Sequence, residues 1–249
     1  MKRILKQISE LIFPPRCAGC HTLLPTGEAG GVFCAECERE FEREMRMQCP
    51  KCHAAHCECR CQPFLMKQAG CRALIKLAPY GEGEAYYVVR RMLLDMKKRP
   101  CRRKARYLAS QLCQGVLEML RKEGVSKEQC VITYLPRSPR NRRRDGVDQA
   151  KELALSLSEC TGIAERPLLK RKGHTKQQKG LNARERARNL EGAFSLCEDV
   201  RGLFVLVVDD VVTTGAGMRA VARELRRGGA SGVLGICVAV TEKRKRQKS

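Results

Sequence analysis

Short apolar runs alternate with stretches of helical apolar spacing over most of the chain after residue 72. Apolar residues recur at helical spacing from Tyr107 to Leu120 and again over Gln149–Leu157. The continuous apolar run Val205–Val208 is typical of a strand buried in a parallel sheet. Because strands alternate with helices, the pattern predicts an α/β fold with a mostly parallel sheet. The predicted strands are Ala73–Pro79, Val131–Leu135, Val205–Val208 and Gly232–Val240, and further predicted helices are Tyr86–Met96 and Met218–Leu225.

The first residues, Met1–Arg16, predict a short amphipathic helix. Ile4, Leu5, Ile8 and Leu11 fall at helical spacing, and charged residues interrupt them. The segment has neither the continuous apolar region nor the cleavage site of a signal peptide, and no run of the chain approaches the ~18–20 apolar residues of a membrane span. We therefore expect a cytoplasmic protein without a membrane span, whose first helix packs on its own domain. A helix lying on a membrane surface is the alternative.

Cysteines are concentrated near the N-terminus. Ten of the sixteen lie between Cys17 and Cys71. Since a secreted disulfide framework would need an export signal, clustered cysteines at short spacing indicate metal ligands in a reducing compartment. Two Cys-x-x-Cys knuckles can close one tetrahedral zinc site, and four free thiols in a core are the alternative. The first predicted site consists of Cys17, Cys20, Cys34 and Cys37.

A third knuckle, Cys49 and Cys52, predicts a second zinc site with an ambiguous second half. His56 and Cys59 have knuckle spacing, whereas Cys57 and Cys61 are one residue further apart. The remaining ligands therefore come from the set His56, Cys57, Cys59 and Cys61. Such closed sites contribute folding energy and imply no catalysis, so we predict a zinc-ribbon-like module over residues 1–65 that contacts nucleic acid or protein.

The chain is strongly basic, with 49 Lys and Arg against 27 Asp and Glu and a formal net charge of +22. This excess attracts phosphate-bearing partners and argues against cationic ligands. Aromatic residues make up 4% of the chain without any Trp, which does not favour a base-stacking platform. Basic residues are densest between Arg90 and Arg106, where they can contact nucleic-acid phosphates, although a solvated helix face explains the same run. The candidates are Lys97, Lys98, Arg102 and Arg103.

Acidic and phosphate-binding features follow one another directly after the strand at Val205–Val208. Asp209 and Asp210 come first, and a Thr-Thr-Gly-Ala-Gly turn leads from them into the next helix. The backbone N–H groups, hydroxyls and helix dipole of such a turn form a cradle for a phosphate monoester. The acids would be repelled by that phosphate and suit sugar hydroxyls, with Mg²⁺ nearby. An N-cap turn with solvated acids is the alternative, and no Gly-Lys-Ser/Thr follows to make a Walker loop.

These residues resemble a known signature. Val205–Gly217 is similar to the phosphoribosyl-pyrophosphate motif of type I phosphoribosyltransferases, and with the cysteine-rich head the chain most resembles the ComF family, which includes GntX-like proteins. Further segments of that family recur in order. They are Pro136, ten residues before Gly146–Gln149, then Gln178–Leu181, Arg186–Asn189 and Gly192–Phe194.

The resemblance implies a type I phosphoribosyltransferase-like parallel sheet flanked by helices over residues 66–241, after the head and before a basic tail at 242–249. It implies that Asp209 and Asp210 contact the ribose hydroxyls of phosphoribosyl pyrophosphate with Mg²⁺. The residues implied for the 5′-phosphate are Thr213, Thr214, Gly215, Ala216 and Gly217; those near the pyrophosphate are Pro136, Arg137 and Ser138; those at the site edge are Arg186 and Asn189.

Three positions depart from the family pattern. Asp145 stands where the family usually has Arg, Asp148 where it has Asn, and Gly217 where Thr is common. The acid at 145 removes a partner for pyrophosphate, and Gly217 keeps the backbone cradle without a hydroxyl. We expect phosphate affinity to survive these changes more readily than turnover.

The resemblance implies a competence-type protein that binds phosphoribosyl pyrophosphate and assists the uptake or processing of single-stranded DNA in the cytoplasm, with DNA-uptake or helicase proteins as partners. Two alternatives stay open. One is a salvage or biosynthetic phosphoribosyltransferase that acts on a nitrogen nucleophile, for which no catalytic acid can be named. The other is a non-catalytic sensor of ribose phosphate.

Overall fold

The computed structural model describes residues 14–24, 31–98, 102–137, 148–172, 190 and 192–241. Residues 14–16 are not helical, and most of the predicted N-terminal helix and the whole basic tail lie outside the described residues. So do the candidate site residues Ser138, Arg186 and Asn189, the departure at Asp145, and the family segment Gln178–Leu181.

A five-stranded sheet forms the centre of the described structure. Its strands follow the order Leu74–Ile75, Gly232–Thr241, Phe204–Val212 and Cys130–Tyr134, with Ala78–Tyr80 also beside Gly232–Thr241, and its pairings are parallel. The prediction of a mostly parallel sheet is therefore confirmed. The strands are β1 (Leu74–Ile75), β2 (Ala78–Tyr80), β3 (Cys130–Tyr134), β6 (Phe204–Val212) and β7 (Gly232–Thr241), and β4 (Leu169–Arg171) pairs antiparallel with β5 (Phe194–Leu196) in a separate two-stranded sheet.

Most predicted elements are found with shifted ends. The predicted strand at Ala73–Pro79 is two short strands, and β6 continues beyond the apolar run through both acids. The last helix ends at Arg227, before Gly228 and Gly229, as predicted. The helices are α1 (Ala35–Arg46), α2 (Phe64–Gln68), α3 (Tyr87–Lys98), α4 (Arg102–Glu123), α5 (Gln149–Thr161) and α6 (Ala216–Arg227). None of the described helices is long and apolar enough to cross a membrane.

The two faces of the sheet bury different cores. Alternate residues of β6 separate to the two sides: Leu206 and Val208 pack with α3, α4 and α5, whereas Val205 and Val207 pack with α2 and α6. Period-two alternation of side chains across a strand explains this division. Because both faces are covered by helices, the sheet strands read as continuous apolar runs in the sequence.

The cysteine-rich head shares the first of these cores. Phe33 and Phe41 lie with Leu108 and Ile132 in one cluster of buried apolar residues. Both rings also contact the ring of Tyr107 on α4, with centroids 5.5 and 5.6 Å away. The head is therefore stabilised by packing on the helices of the larger domain as well as by its own contacts.

Glu44 joins the head to the larger domain through the N-terminus of α3. Its side chain is fully buried, and its two carboxylate oxygens accept the backbone N–H groups of Val88 at 2.7 Å and Val89 at 3.1 Å. The first N–H groups of a helix lack partners inside the helix, and a carboxylate there is favoured by the helix dipole. Burial nevertheless raises the pKa of Glu44 to about 7, and the two N–H donors oppose that rise.

We expect the contribution of Glu44 to stability to depend on pH between 5 and 8. A raised folded-state pKa means that the native state holds the proton longer than the unfolded chain, so this contribution is fully present below about pH 4.5 and is lost as the pH rises through about 7. Denaturant unfolding should show that the free energy of unfolding of the wild type falls relative to Glu44→Gln over this range.

The control for this prediction is Glu40→Gln on the same helix. Arg43 holds the pKa of Glu40 below its ordinary value, so Glu40 does not titrate between pH 5 and 8. A difference between wild type and Glu44→Gln that stays constant with pH would contradict the prediction.

Candidate functional site

The predicted acid pair lies at the carboxyl end of the sheet, where β6 runs between β3 and β7. Tyr134, the last residue of β3, pairs with Val208, so the loop after β3 lies beside Asp209 and Asp210. In open α/β sheets, ligands bind in the crevice outside the carboxyl ends of the strands. The sheet therefore brings the predicted ribose-binding acids and the predicted pyrophosphate loop to one place.

Arg137 of that loop forms an ion pair with one acid of the pair. Its Nη2 lies 3.2 Å from Oδ2 of Asp210, and both side chains are largely shielded from solvent. The same nitrogen donates to Oε1 of Gln149 at 2.6 Å, while Nε2 of the fully buried Gln149 donates to the carbonyl of Leu93 at 2.8 Å. A chain of hydrogen bonds thus orients the guanidinium group from helices α3 and α5.

Asp209 has a strongly perturbed carboxyl group. Burial of its carboxyl group, and then the neighbouring charge of Asp210, raise the pKa of Asp209 well above its ordinary value, and the Arg137 guanidinium opposes this rise. Its Oδ1 accepts the N–H of Asp210 at 2.9 Å. Ionisation of Asp209 therefore becomes favourable when a cation or hydroxyl donors enter the site, and carboxylate oxygens are ligands that Mg²⁺ prefers.

The predicted phosphate loop lies between β6 and α6. Thr213 is exposed and Thr214 half-buried, and Oγ1 of Thr214 lies 3.4 Å from the N–H of Ala216 in the first turn of α6. Gly215 adopts φ +77° immediately before the helix, a left-handed conformation that favours glycine. The helix N-terminus and its N–H groups follow directly, which is the geometry of an anion site.

Leu135 explains the glycine at position 217. A Cβ added to Gly217 would lie 2.9 Å from Cδ2 of Leu135, which follows β3. Leu135 occupies the space beside the first turn of α6 that a larger residue at position 217 would need. The departure from the family's Thr is therefore matched by a large apolar residue opposite it.

Asp148 is the N-cap of α5. Its side chain accepts the N–H of Lys151 at 3.4 Å, as an Asn in the family pattern would also do. This departure therefore preserves the start of the helix that carries Gln149.

The first cysteine group comes together as predicted. The sulfurs of Cys17, Cys20, Cys34 and Cys37 all lie within 4.8 Å of one another. Sγ of Cys34 is 3.8 Å from the sulfurs of both Cys17 and Cys20. Four sulfurs at about 2.3 Å from one zinc ion are separated by about 3.8 Å, so these residues fit a tetrahedral zinc site.

The second group consists of Cys49, Cys52, Cys59 and Cys61, again within 4.8 Å of one another. Cys57 and His56 lie outside this group, which corrects their candidacy. Nδ1 of the buried His56 is 2.7 Å from the carbonyl of Met47, and the N–H of Cys57 donates to the carbonyl of Met45, so both residues pack toward the end of α1.

Lys76 lies directly against the second group. This lysine is buried, and its Nζ donates to the carbonyls of Cys59 at 3.0 Å and Cys61 at 2.9 Å. Nζ is also 3.2 Å from Sγ of Cys59. A lysine here would offset the negative charge of the four thiolates if they bound a metal ion.

The predicted nucleic-acid residues lie at the junction of α3 and α4. Arg102 is exposed and forms an ion pair with Glu159 of α5, which also accepts Nε of Arg106 at 3.0 Å. Lys97 and Arg103 are half-buried. Lys104 is different, since it is buried and pairs with Asp95.

Comparison with known proteins identifies the family of the chain. The model of the phosphoribosyl transferase domain matches residues 143–249. The chain is 31% identical over 235 residues to DNA utilization protein YhgH of Salmonella typhimurium, covering 93% of this chain and 99% of the relative. YhgH is a ComF-like protein, and the chain belongs to the ComF family. Competence protein F of Haemophilus influenzae is 38% identical over 88 residues, covering 34% of this chain and 38% of the relative.

A solved purine phosphoribosyltransferase from Pyrococcus horikoshii is also similar, at 19% identity and a TM-score of 0.33, covering 54% of this chain and 74% of the other. This structural similarity is too low to add to the family assignment. The predicted fold class, a phosphoribosyltransferase-type parallel sheet with flanking helices and a cysteine-rich N-terminal region, is confirmed by the family match and the observed sheet.

The sequence pattern does not reveal the roles of Gln149 and Lys76 at these sites, or that of Glu44 between the head and α3. Gln149 was visible as the last residue of a family segment, but its role as the partner of Arg137 depends on tertiary contacts. Lys76 and Glu44 carry no sequence signal, because each acts on elements distant in the chain.

We expect Arg137→Gln to weaken binding of inorganic pyrophosphate about tenfold or more. The change removes charge-assisted hydrogen bonds, which are worth about 1.5–3 kcal/mol each. Gln149→Ala should give a smaller loss, because it leaves the guanidinium present but no longer oriented. Isothermal calorimetry with Mg²⁺ measures both.

Arg166→Gln is the control for this prediction, since Arg166 pairs with Glu198 away from the acid pair. Equal affinities of the wild type and Arg137→Gln for pyrophosphate would contradict the assignment of Arg137 to this subsite.

Proposed function

We propose that this ComF-family protein binds phosphoribosyl pyrophosphate with Mg²⁺ and assists the handling of single-stranded DNA in the cytoplasm. The observation that carries the proposal is the meeting of three features at one edge of the sheet: the Asp209–Asp210 pair, the glycine-containing turn before α6, and Arg137. Opposite charges are thereby placed a short distance apart, as a ligand with both hydroxyls and phosphates requires.

The proposed binding mode assigns one part of the ligand to each feature. Asp209 and Asp210 accept the ribose hydroxyls, and the Thr213–Gly217 turn with the start of α6 donates to the 5′-phosphate. Arg137 would exchange Asp210 for the pyrophosphate, and Asp209 and Asp210 would hold Mg²⁺. When bound, Mg²⁺ supplies positive charge to the pyrophosphate oxygens and the hydroxyls.

Zinc in the two cysteine groups is proposed as a structural component. The sulfur positions fit tetrahedral coordination, and both groups use four cysteines, which is typical of closed sites. Such sites carry out no chemistry themselves. Their contribution is to the folding of the head and of whatever packs against it.

The DNA-handling part of the proposal rests on the names of relatives and on charge. Those names are DNA utilization protein and competence protein. The junction of α3 and α4 presents exposed or half-buried basic residues, with Arg102 and Arg106 already bound to Glu159. Phosphate groups of a DNA strand would compete with that single carboxylate for both guanidinium groups.

The wild type should bind phosphoribosyl pyrophosphate with Mg²⁺ in calorimetry. We expect Asp209→Asn with Asp210→Asn to weaken binding tenfold or more, and Thr214→Ile to weaken it by crowding the turn. Because the pKa of Asp209 is raised, affinity should increase with pH as Asp209 becomes easier to ionise, and Asp209→Asn should reduce this dependence.

Asp199→Asn is the matched control, since Asp199 is an exposed acid paired with Arg201. Undetectable wild-type binding at millimolar ligand would contradict the proposal. Pyrophosphate release in the presence of nucleobases or amines, measured on the same samples, would identify a transferase.

Single-stranded DNA should bind with strong salt dependence and little sequence preference. Neutralising Lys97, Lys98, Arg102 and Arg103 to Gln should weaken binding and lower the salt slope by roughly 0.7 for each lost phosphate contact. Glu159→Gln should strengthen binding, because it frees Arg102 and Arg106 for phosphate. Fluorescence anisotropy at several salt concentrations measures both effects.

The control for DNA binding is a second variant in which four basic residues on the opposite face of the sheet are neutralised, so that both variants lose the same charge. The four residues replaced by Gln are the exposed Arg201, Arg223, Arg226 and Arg227. If this variant loses as much affinity as the first, the α3–α4 junction is not the DNA site.

A further inference from the structure

The chain segment that leaves the second cysteine group packs against the phosphate loop. A Cβ added to Gly215 would lie 2.9 Å from Cγ of Met66 and 3.0 Å from Cβ of Pro63. Pro63 is the N-cap of α2, and Met66 lies within that helix. Gly215 thus lies in direct contact with the connection between the head and the sheet.

Met66 links the phosphate loop to the centre of the sheet. Its side chain is fully buried, and its Cε would lie 2.6 Å from a Cβ added to Gly235 on β7, the strand beside β6. Met66 therefore fills the space between Gly215 and Gly235. Shortening this side chain would open a cavity directly beneath Gly215, the N-cap of α6.

The second cysteine group sets the position of Pro63. Only Gln62 separates Cys61 from Pro63, and Nε2 of Gln62 donates to the carbonyl of Cys71 at 2.9 Å. Lys76 holds the carbonyls of Cys59 and Cys61, as described above. The segment before α2 is therefore held at Cys61 by Lys76, which lies between β1 and β2, and at Gln62 by the carbonyl of Cys71.

We propose that Pro63 and Met66 are positioning residues of the phosphate loop, and that a metal ion bound by Cys49, Cys52, Cys59 and Cys61 holds them in place. This inference rests on the proposed binding of phosphoribosyl pyrophosphate. The second cysteine group is then a structural part of the 5′-phosphate subsite.

The physical argument concerns what happens to the cysteines without metal. Without a metal ion, the bonds that join Cys49 and Cys52 to Cys59 and Cys61 are lost, so the group can open. Opening moves Cys61 and with it Pro63, and Gly215 loses the surface on which it packs. The N–H groups at the start of α6 then lose their common direction toward a phosphate.

The pyrophosphate subsite should be independent of the second cysteine group and of its contacts through Pro63 and Met66. Arg137 is oriented by Gln149 and the Leu93 carbonyl, and Leu93 packs in the core on the other face of the sheet. Loss of the second metal ion should therefore weaken recognition of a 5′-phosphate and spare recognition of pyrophosphate. A general loss of stability would weaken both.

The test compares three cysteine variants of the full-length protein. Cys52→Ser removes an exposed ligand of the second group, Cys20→Ser removes the corresponding exposed ligand of the first group, and Cys57→Ser changes a cysteine outside both groups. Zinc per chain is measured by elemental analysis, folding by circular dichroism, and affinities for ribose 5-phosphate and inorganic pyrophosphate with Mg²⁺ by calorimetry.

We expect two zinc ions in the wild type and in Cys57→Ser, with equal affinities for both ligands. Cys52→Ser should lose one zinc ion and bind ribose 5-phosphate at least tenfold more weakly, with pyrophosphate affinity within twofold of the wild type. Cys20→Ser should also lose one zinc ion, with a clearly smaller effect on ribose 5-phosphate.

A second set of variants leaves both metal groups intact. Met66→Ala should retain two zinc ions and reproduce the selective loss of ribose 5-phosphate affinity, and Met66→Leu should restore most of it. Combining Met66→Ala with Cys52→Ser should add little to the larger single effect, because both changes act through the same contact.

Three results would overturn the inference. They are unchanged ribose 5-phosphate affinity in Cys52→Ser after zinc loss, equal effects of Cys52→Ser and Cys20→Ser, and parallel losses of both ligands in Met66→Ala. Absence of phosphoribosyl pyrophosphate and ribose 5-phosphate binding by the wild type would instead overturn the proposed function together with this inference.

Discussion

Asp209 and Asp210 place two carboxyl groups side by side at the end of β6, a strand whose preceding residues are fully buried. Two adjacent half-buried carboxylates are costly unless cations or hydrogen-bond donors compensate them. The surrounding structure supplies that compensation through Arg137, through Gln149 and Leu93 behind it, and through the backbone N–H groups of Asp210 and Val211. Gln149 of α5 and Leu93 of α3 thus belong to the hydrogen-bond network that compensates the two acids.

The cysteine-rich head is integrated with this arrangement on both faces of the sheet. Its first half shares a core with α3 and α4 and caps α3 through Glu44, while its second half leads into Met66 beneath the phosphate loop. Metal-linked heads are usually explained by the small size of their own core. Here the head also contributes apolar side chains to the core beside α3 and α4 and caps the N-terminus of α3.

Patterns local in the chain could be predicted, and contacts between distant elements could not. The knuckle at Cys17 and Cys20 and the strand before Asp209 are local, so spacing and polarity sufficed. Cys57, Cys59 and Cys61 stand so close together that spacing could not decide between them; the path of the backbone past Lys76 decides it. Glu44 looks like any glutamate of a polar helix, and only its burial against Val88 and Val89 reveals its role.

The strand order also has a consequence for synthesis of the protein on the ribosome. In the described structure, β1 and β2 pair with β7, so that Ile75 lies beside Ile236 near the other end of the chain. Contacts between residues so far apart in sequence form late and slowly. The cysteine groups are complete as soon as residue 61 has left the ribosome, so the head can take up metal long before the sheet that receives it exists.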